Sequence, residues 1–176
     1  MDQAIVACST PPGRGAISVV RISGKEAKSI INSLFSLKFD HGTSKVAETS
    51  LLEGFNEKCL ISCFESPSSY TGEDVAEISC HGNPLIVRAL IQKCIKLGAK
   101  NANPGEFTQR AFLNNKIDLA QSEAVIDLIN ASSSSAMAAA SKSVSGNFGE
   151  NVDKILKFLR KIRILVELSL IHISEP

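Results

Sequence analysis

Apolar positions recur along this chain with two different periods, and the change of period divides it. Ala4–Cys8 is a short apolar run and predicts a strand. Ala16–Ile22 predicts a second strand, closed by Ser23-Gly24. Between them, Thr10-Pro-Pro-Gly-Arg-Gly15 reads as a loop from its Pro and Gly content. Lys25–Phe35 then changes to helical spacing, with Ala27, Ile30, Ile31 and Leu34 on one stripe. The polar stretch Lys38–Ser50 predicts a variable loop or a weak strand. Two strands are expected near Leu51–Phe55 and Lys58–Glu65, with Asn56-Glu57 as the hairpin turn between them. In the second, Cys59, Ile61 and Cys63 share a face that looks like core.

The stretch Thr71–Asn83 starts as a turn, becomes a strand and ends in a Gly-Asn break. Within it Ala76, Ile78 and Cys80 lie on one side, and Glu77 lies on the other with Val75 and Ser79. Pro84–Leu97 is an amphipathic helix carrying Leu85, Ile86, Leu90, Ile91, Cys94 and Ile95. Pro84 suits its first turn and Gly98 its C-terminal cap. Asn103-Pro-Gly-Glu-Phe107 turns the chain into a helix over Phe107–Asn114. From Leu119 onward only helical spacing remains. Ser132–Ser145 is rich in Ala and Ser, and Val152–Val166 sets Val152, Ile155, Phe158, Leu159, Ile162, Leu165 and Val166 on one stripe.

The pattern therefore predicts an α+β fold: a small mixed-sheet domain with helices over residues 1–117, and an incomplete all-helical segment over 118–167. Composition agrees with a globular chain: 44% of the 176 residues are hydrophobic and 21% charged. With no Trp and 5% aromatics, the core must be aliphatic with Phe as its main ring. A net charge of +1 argues against a grossly basic nucleic-acid binder, though not against a local basic face. Five scattered cysteines, no signal peptide before Ala4 and no membrane-length apolar run predict a cytoplasmic protein with reduced thiols.

Candidate chemistry concentrates on three residues. A carboxylate in mid-strand is depleted by propensity, so Glu77 is either solvated or held for a ligand. In the second case its two oxygens can accept a parallel pair of N–H donors, as on the edge of a pterin or guanine ring. Arg21 shares its strand face with Ile17 and Val19, so its guanidinium is expected at the end of a buried face. It is either a snorkelling arginine or a clamp for an anion or carbonyl. Lys116 stands where the α+β part meets the helical part, as a helix-dipole partner or a group reaching a ligand carboxylate.

Several chemistries are disfavoured. Cys80 and His81 are adjacent in a strand and point to opposite faces, so they form no thiol–imidazole dyad. His41, His81 and His172 are scattered, and no zinc spacing occurs. The Pro11–Gly15 loop lacks the Gly-Lys-Ser/Thr end of a P-loop, so no nucleotide hydrolysis, catalytic residue or metal ligand is expected. The basic side of the last helix is read as a solvated face rather than an RNA contact.

Taken in order, five motifs carry a resemblance. They are Thr10-Pro-Pro-Gly-Arg-Gly15; Val20-Arg-Ile-Ser-Gly24; Thr71-Gly-Glu-Asp74 with Glu77 and His81-Gly82; Pro104-Gly-Glu-Phe107; and the run from Arg110 to Ala124. From Ile5 to about Glu167 the chain resembles the amino-terminal part of the bacterial tRNA uridine 5-carboxymethylaminomethyl modification GTPases, the MnmE or TrmE family. The resemblance implies an α/β folate-binding domain that forms a homodimer and binds 5-formyl- or 5,10-methylene-tetrahydrofolate. It implies that Arg21, Glu77 and Lys116 are the folate contacts. It also implies a helical domain interrupted by a GTPase domain, with GTP, magnesium and potassium bound only in that missing part. A flavin-containing partner protein and tRNA complete the implied assembly, which modifies the wobble uridine. Two alternatives are a stand-alone folate-dependent one-carbon transferase and a dimerisation module without ligand.

The last nine residues, Leu168–Pro176, depart from the family pattern, in which more helix is expected. They resemble the in-frame translation of a sequencing adaptor, so residues 168–176 are expected to be a non-native tail. The apolar stripe of the last helix is expected to lack its bundle partners and to promote self-association.

Overall fold

A computed structural model describes residues 3–36, 38 and 44–174. The chain forms two compact units, Met1–Lys116 and Ile117–Pro176. The first is α+β and the second is helical, with a mixed sheet confined to the first.

In the first unit the strands are β1 (Ile5–Cys8), β2 (Gly15–Ser23), β3 (Ser44–Leu52), β4 (Phe55–Phe64), β5 (Val75–Gly82) and β6 (Lys100–Asn101). They make one sheet in the order β3-β4-β5-β2-β1-β6. Four neighbouring pairs are antiparallel, and β6 joins β1 in parallel. Helices α1 (Ala27–Phe35) and α2 (Pro84–Lys96) cover one face. There Val20, Ile22, Ile61 and Ile78 meet Ile30, Ile31, Leu34 and Leu90 in a single aliphatic core. Period-two alternation drives this arrangement, because every second residue of β2, β4 and β5 points to the helices. The opposite face is left open along β2, β4 and β5.

Three local expectations change. The stretch Lys38–Ser50 contains the first part of a full edge strand, β3, whose Ala47, Thr49 and Leu51 are buried. The hairpin turn falls at Glu53-Gly54, not at Asn56-Glu57. Gly54 supplies the positive φ of 73° that such a turn requires. Glu57 thus becomes a strand residue, on the same inward face as Cys59, Ile61 and Cys63. Finally, Leu85 of the α2 stripe faces outward, while Leu90 and Cys94 carry the packing.

Helix α3 (Glu106–Leu113) closes the first unit. The second unit holds α4 (Leu119–Asn130), α5 (Ser134–Val144) and α6 (Asn147–Ser174). A capping box between Asp118 and Gln121 starts α4. Helix α6 carries Ile155, Phe158, Leu159, Ile162, Leu165 and Val166 exposed. It continues through Leu168–Ser174, while Glu175 and Pro176 lie outside the described residues, as does His41. No helix among the described residues is long and apolar enough to cross a membrane.

Candidate functional site

The sheet register brings Arg21 and Glu77 face to face. They are direct cross-strand partners on β2 and β5. Glu77 Oε1 accepts from Arg21 Nε at 2.8 Å and meets Nη2 at 2.7 Å. Both side chains are about one quarter exposed, at 25% and 28%. Arg21 is therefore not at the end of a buried face, as its apolar neighbours suggested. Residues Ser18, Val20 and Ile22 take the core side of β2, which turns Ile17, Val19 and Arg21 onto the open face. The guanidinium lies 5.3 Å from the Tyr70 ring centroid and 5.8 Å from that of Phe107. Two aromatic faces at that range attract a cation and exclude water on its flanks.

Lys116 is placed differently. Its Nζ donates to Pro67 O at 2.9 Å, on the loop that carries Tyr70. Gly72 makes this possible: a Cβ there would sit 3.0 Å from Lys116 Cγ, and its φ is +75°. Asn114 Nδ2 donates to Thr71 O on the same loop. Arg21 and Glu77 are thus joined directly, and Lys116 is tied to the loop beside them.

That loop and α3 are held by a buried ion cluster. Arg110 is 1% exposed and donates to both Glu73 oxygens, at 3.2 and 2.9 Å. It also donates to Glu106 Oε1 at 3.2 Å and to Gln3 O at 3.0 Å. Ser23 Oγ donates to Glu73 Oε2 and shares a hydrogen bond with Thr71 Oγ1. Burial alone would raise the Glu106 carboxyl, but bonds from the Asn103 N–H, Lys100 and Arg110 hold it below the usual value. Tyr70 Oη and Thr108 Oγ1 pair at 2.9 Å, which fixes the Tyr70 ring against α3.

A cavity of about 460 Å³ lies elsewhere, between the Thr10–Gly13 loop and α2, with Val87, Arg88 and Ile91 on its wall. It is on the helix side of the sheet, since the core-facing Ser18 lines it. None of Arg21, Glu77 and Lys116 reaches it. The paired charges and the two rings lie instead on the open face of the sheet.

The sequence model of the family described as GTP-binding protein TrmE N-terminus matches residues 4–116. The chain belongs to this family. Over 94% of its length it is 45% identical to the tRNA modification GTPase MnmE of Francisella philomiragia. It is 43% identical over the same share to the protein of that name from Francisella tularensis strain SCHU S4, and 42% to that of Francisella tularensis subsp. novicida. The chain spans 37% of the length of these relatives.

In this TrmE N-terminal unit, several polar groups gain their roles only from the fold. Glu73, Glu106 and Arg110 belong to motifs visible in the sequence, yet their convergence is tertiary. The i, i+4 spacing of Glu106 and Arg110 was the available signal. Tyr70 and Phe107 are far apart in sequence and meet only over Arg21. For Glu57 the signal is the alternation Cys63, Ile61, Cys59, which extends back to it. Cys80 is buried against Ser18 O, and burial, with Glu57 nearby, pushes its thiol up to about 11. His81 instead contacts Glu57 at 2.7 Å. Strand alternation thus separates the two groups of the tempting dyad.

Proposed function

We propose that this chain is the tetrahydrofolate-binding amino-terminal part of a GTPase that modifies tRNA. Arg21, Glu77 and Lys116 are its ligand residues. The observation that carries this reading is the Arg21–Glu77 pair, one quarter exposed beneath two aromatic rings on an otherwise open sheet face. Glu77 Oε1 already meets both Nε and Nη2 of one planar guanidinium. The amide-plus-amine edge of a pterin likewise presents two adjacent N–H donors, one for each carboxylate oxygen. Binding then exchanges one planar donor for another at Glu77 and frees Arg21 for a carbonyl or formyl oxygen. Lys116 stands by the loop for the remaining acidic oxygens. The bound form is 5-formyl- or 5,10-methylene-tetrahydrofolate.

On this reading the protein is cytoplasmic, acts on the wobble uridine of tRNA and works with a flavin-dependent partner protein. GTP, magnesium and potassium belong to a GTPase domain that these 176 residues do not include. The names of the relatives, tRNA modification GTPases, support that setting. Homodimerisation through the first unit is supported by the apolar side chains left exposed on β3 and β4, among them Val46, Leu52 and Phe64.

Calorimetric titration with 5-formyltetrahydrofolate tests the site, with Glu77→Gln as the variant. Gln keeps the shape but replaces one acceptor with a donor. Loss of the charged pairing should cost about 2 kcal/mol, roughly thirtyfold in affinity. Equal binding by wild type and variant would remove Glu77 from the site.

A further inference from the structure

The cavity on the helix side of the sheet is built from residues that the Arg21–Glu77 pair does not use. Its floor is Ser18 of β2 with Cys8 at the end of β1. Ser18 alternates with the core residues Val20 and Ile22, and its small side chain leaves open a space that a branched apolar one would fill. It is 7% exposed, and among the described residues no protein group pairs with its hydroxyl. Arg110 Nε is the one fully enclosed side-chain polar atom without a partner among those residues, so the Ser18 hydroxyl is reached from the cavity. A hydroxyl buried to that degree calls for a partner from whatever enters.

The walls are firm. Pro11 and Pro12 form one of them, with φ held by their rings. Thr10 ties their loop to the sheet: its Oγ1 accepts from the Val19 N–H at 3.4 Å and pairs with Cys8 Sγ at 3.2 Å. Val87 and Ile91, about one turn apart on α2, form the other wall. A cavity with such walls is formed before a ligand arrives, which lowers the ordering cost of binding. Its volume of about 460 Å³ suits a small molecule.

Charge selects the kind of molecule. Arg88 is the only charged residue lining the cavity, and no lining residue is acidic. It is exposed and makes no ion pair among the described residues. Pro84 also lines the cavity and opens α2, so the positive end of the helix dipole adds to the guanidinium there. A guanidinium fork matches one carboxylate.

We propose that this cavity is a second ligand site, for a small monocarboxylate with a flat apolar body. The carboxylate meets Arg88, the body lies between the two prolines and the Val87–Ile91 wall, and a polar atom of the body pairs with Ser18. The assignment does not depend on the Glu77 reading, because the two sites are on opposite faces of the sheet.

The chain has no tryptophan, so indole fluorescence reports an indole probe alone. Indole-3-acetate is titrated against the whole chain by fluorescence anisotropy, with indole-3-acetamide as its uncharged counterpart. The acid should bind about tenfold more tightly than the amide, and Arg88→Gln should erase that difference, as expected for a lost charge-assisted pairing. Ser18→Val fills the floor and should weaken both probes about tenfold. Valine suits a strand core, so an undiminished melting temperature identifies that variant as folded. In the wild type, indole-3-acetate should slow iodoacetamide at Cys8, and 5-formyltetrahydrofolate should leave its affinity unchanged. The proposal is overturned if indole-3-acetate does not bind, or if neither variant changes its affinity, which would place it on the exposed stripe of α6. Displacement by 5-formyltetrahydrofolate would overturn it as well, since the cavity would then be no separate site.

Discussion

Replacing Arg110 with Met removes the centre of the buried ion cluster and keeps an unbranched side chain of similar length. Four hydrogen bonds disappear: two to Glu73, one to Glu106 and one to Gln3 O. Neither carboxylate is fully orphaned. Glu73 keeps Ser23 Oγ and is 17% exposed, so water reaches it. Glu106 keeps the Asn103 N–H at 2.8 Å and Lys100 at 3.1 Å. The loss should therefore fall at the low end for a broken buried pair, about 3 kcal/mol. The chain has a single tyrosine and no tryptophan, so tyrosine fluorescence reports Tyr70 and its bond to α3. Followed by that signal, the urea midpoint should drop by about 2 M at an m-value of roughly 1.5 kcal/mol/M. The pH dependence carries a second signature. The Glu106 carboxyl sits below its ordinary value of 4.5 in the folded state. Its contribution is complete above about pH 4.5 and is lost as the pH falls through the lower folded value. Arg110→Met should flatten that acid limb, since one of the bonds holding Glu106 down is gone. A loss below about 1 kcal/mol, with an unchanged acid limb, would show that the cluster does not clasp the loop to α3.

Three further outcomes follow from the geometry. A Cβ at Gly82 would lie 2.4 Å from Gly15 O, a backbone atom at the β2–β5 bulge, so Gly82→Ala should cost about 2 kcal/mol in thermal unfolding; an unchanged melting temperature contradicts the close approach. Iodoacetamide on the native protein should label Cys8 first. Burial pushes the Cys59 and Cys94 thiols up to about 12 and Cys80 to about 11, so they stay protonated even at pH 9; mass spectrometry showing Cys94 modified before Cys8 would refute this. The exposed apolar side chains of α6 should drive association that grows with concentration. Light scattering should show association beyond a dimer disappear when the chain is shortened to residues 1–116, and an unaltered particle size would count against α6 as the cause.

How much was legible depended on whether a feature is local. Period two along β2 and β5, period 3.6 along α1 and α2, and the Pro84 and Gly98 boundaries are short-range properties, and they determined the α+β class and most elements. The same alternation placed Glu77 opposite Ala76, Ile78 and Cys80, and kept Cys80 apart from His81. The hairpin failed by a few residues because both Glu53-Gly54 and Asn56-Glu57 carry turn chemistry. The choice between them is made by the β3–β4 register, a pairing between strands that buries Thr49 and Glu57. Which face of β2 is core was equally undecidable locally. Ile17 and Val19 are as apolar as Val20 and Ile22, and only the packing of α1 and α2 selects the second pair. The meeting of Arg21 with Glu77, the two rings over the guanidinium, and the clustering of Arg110 with Glu73 and Glu106 join residues dozens of positions apart. Their geometry belongs to the sheet order, because no local periodicity encodes which strand lies beside which.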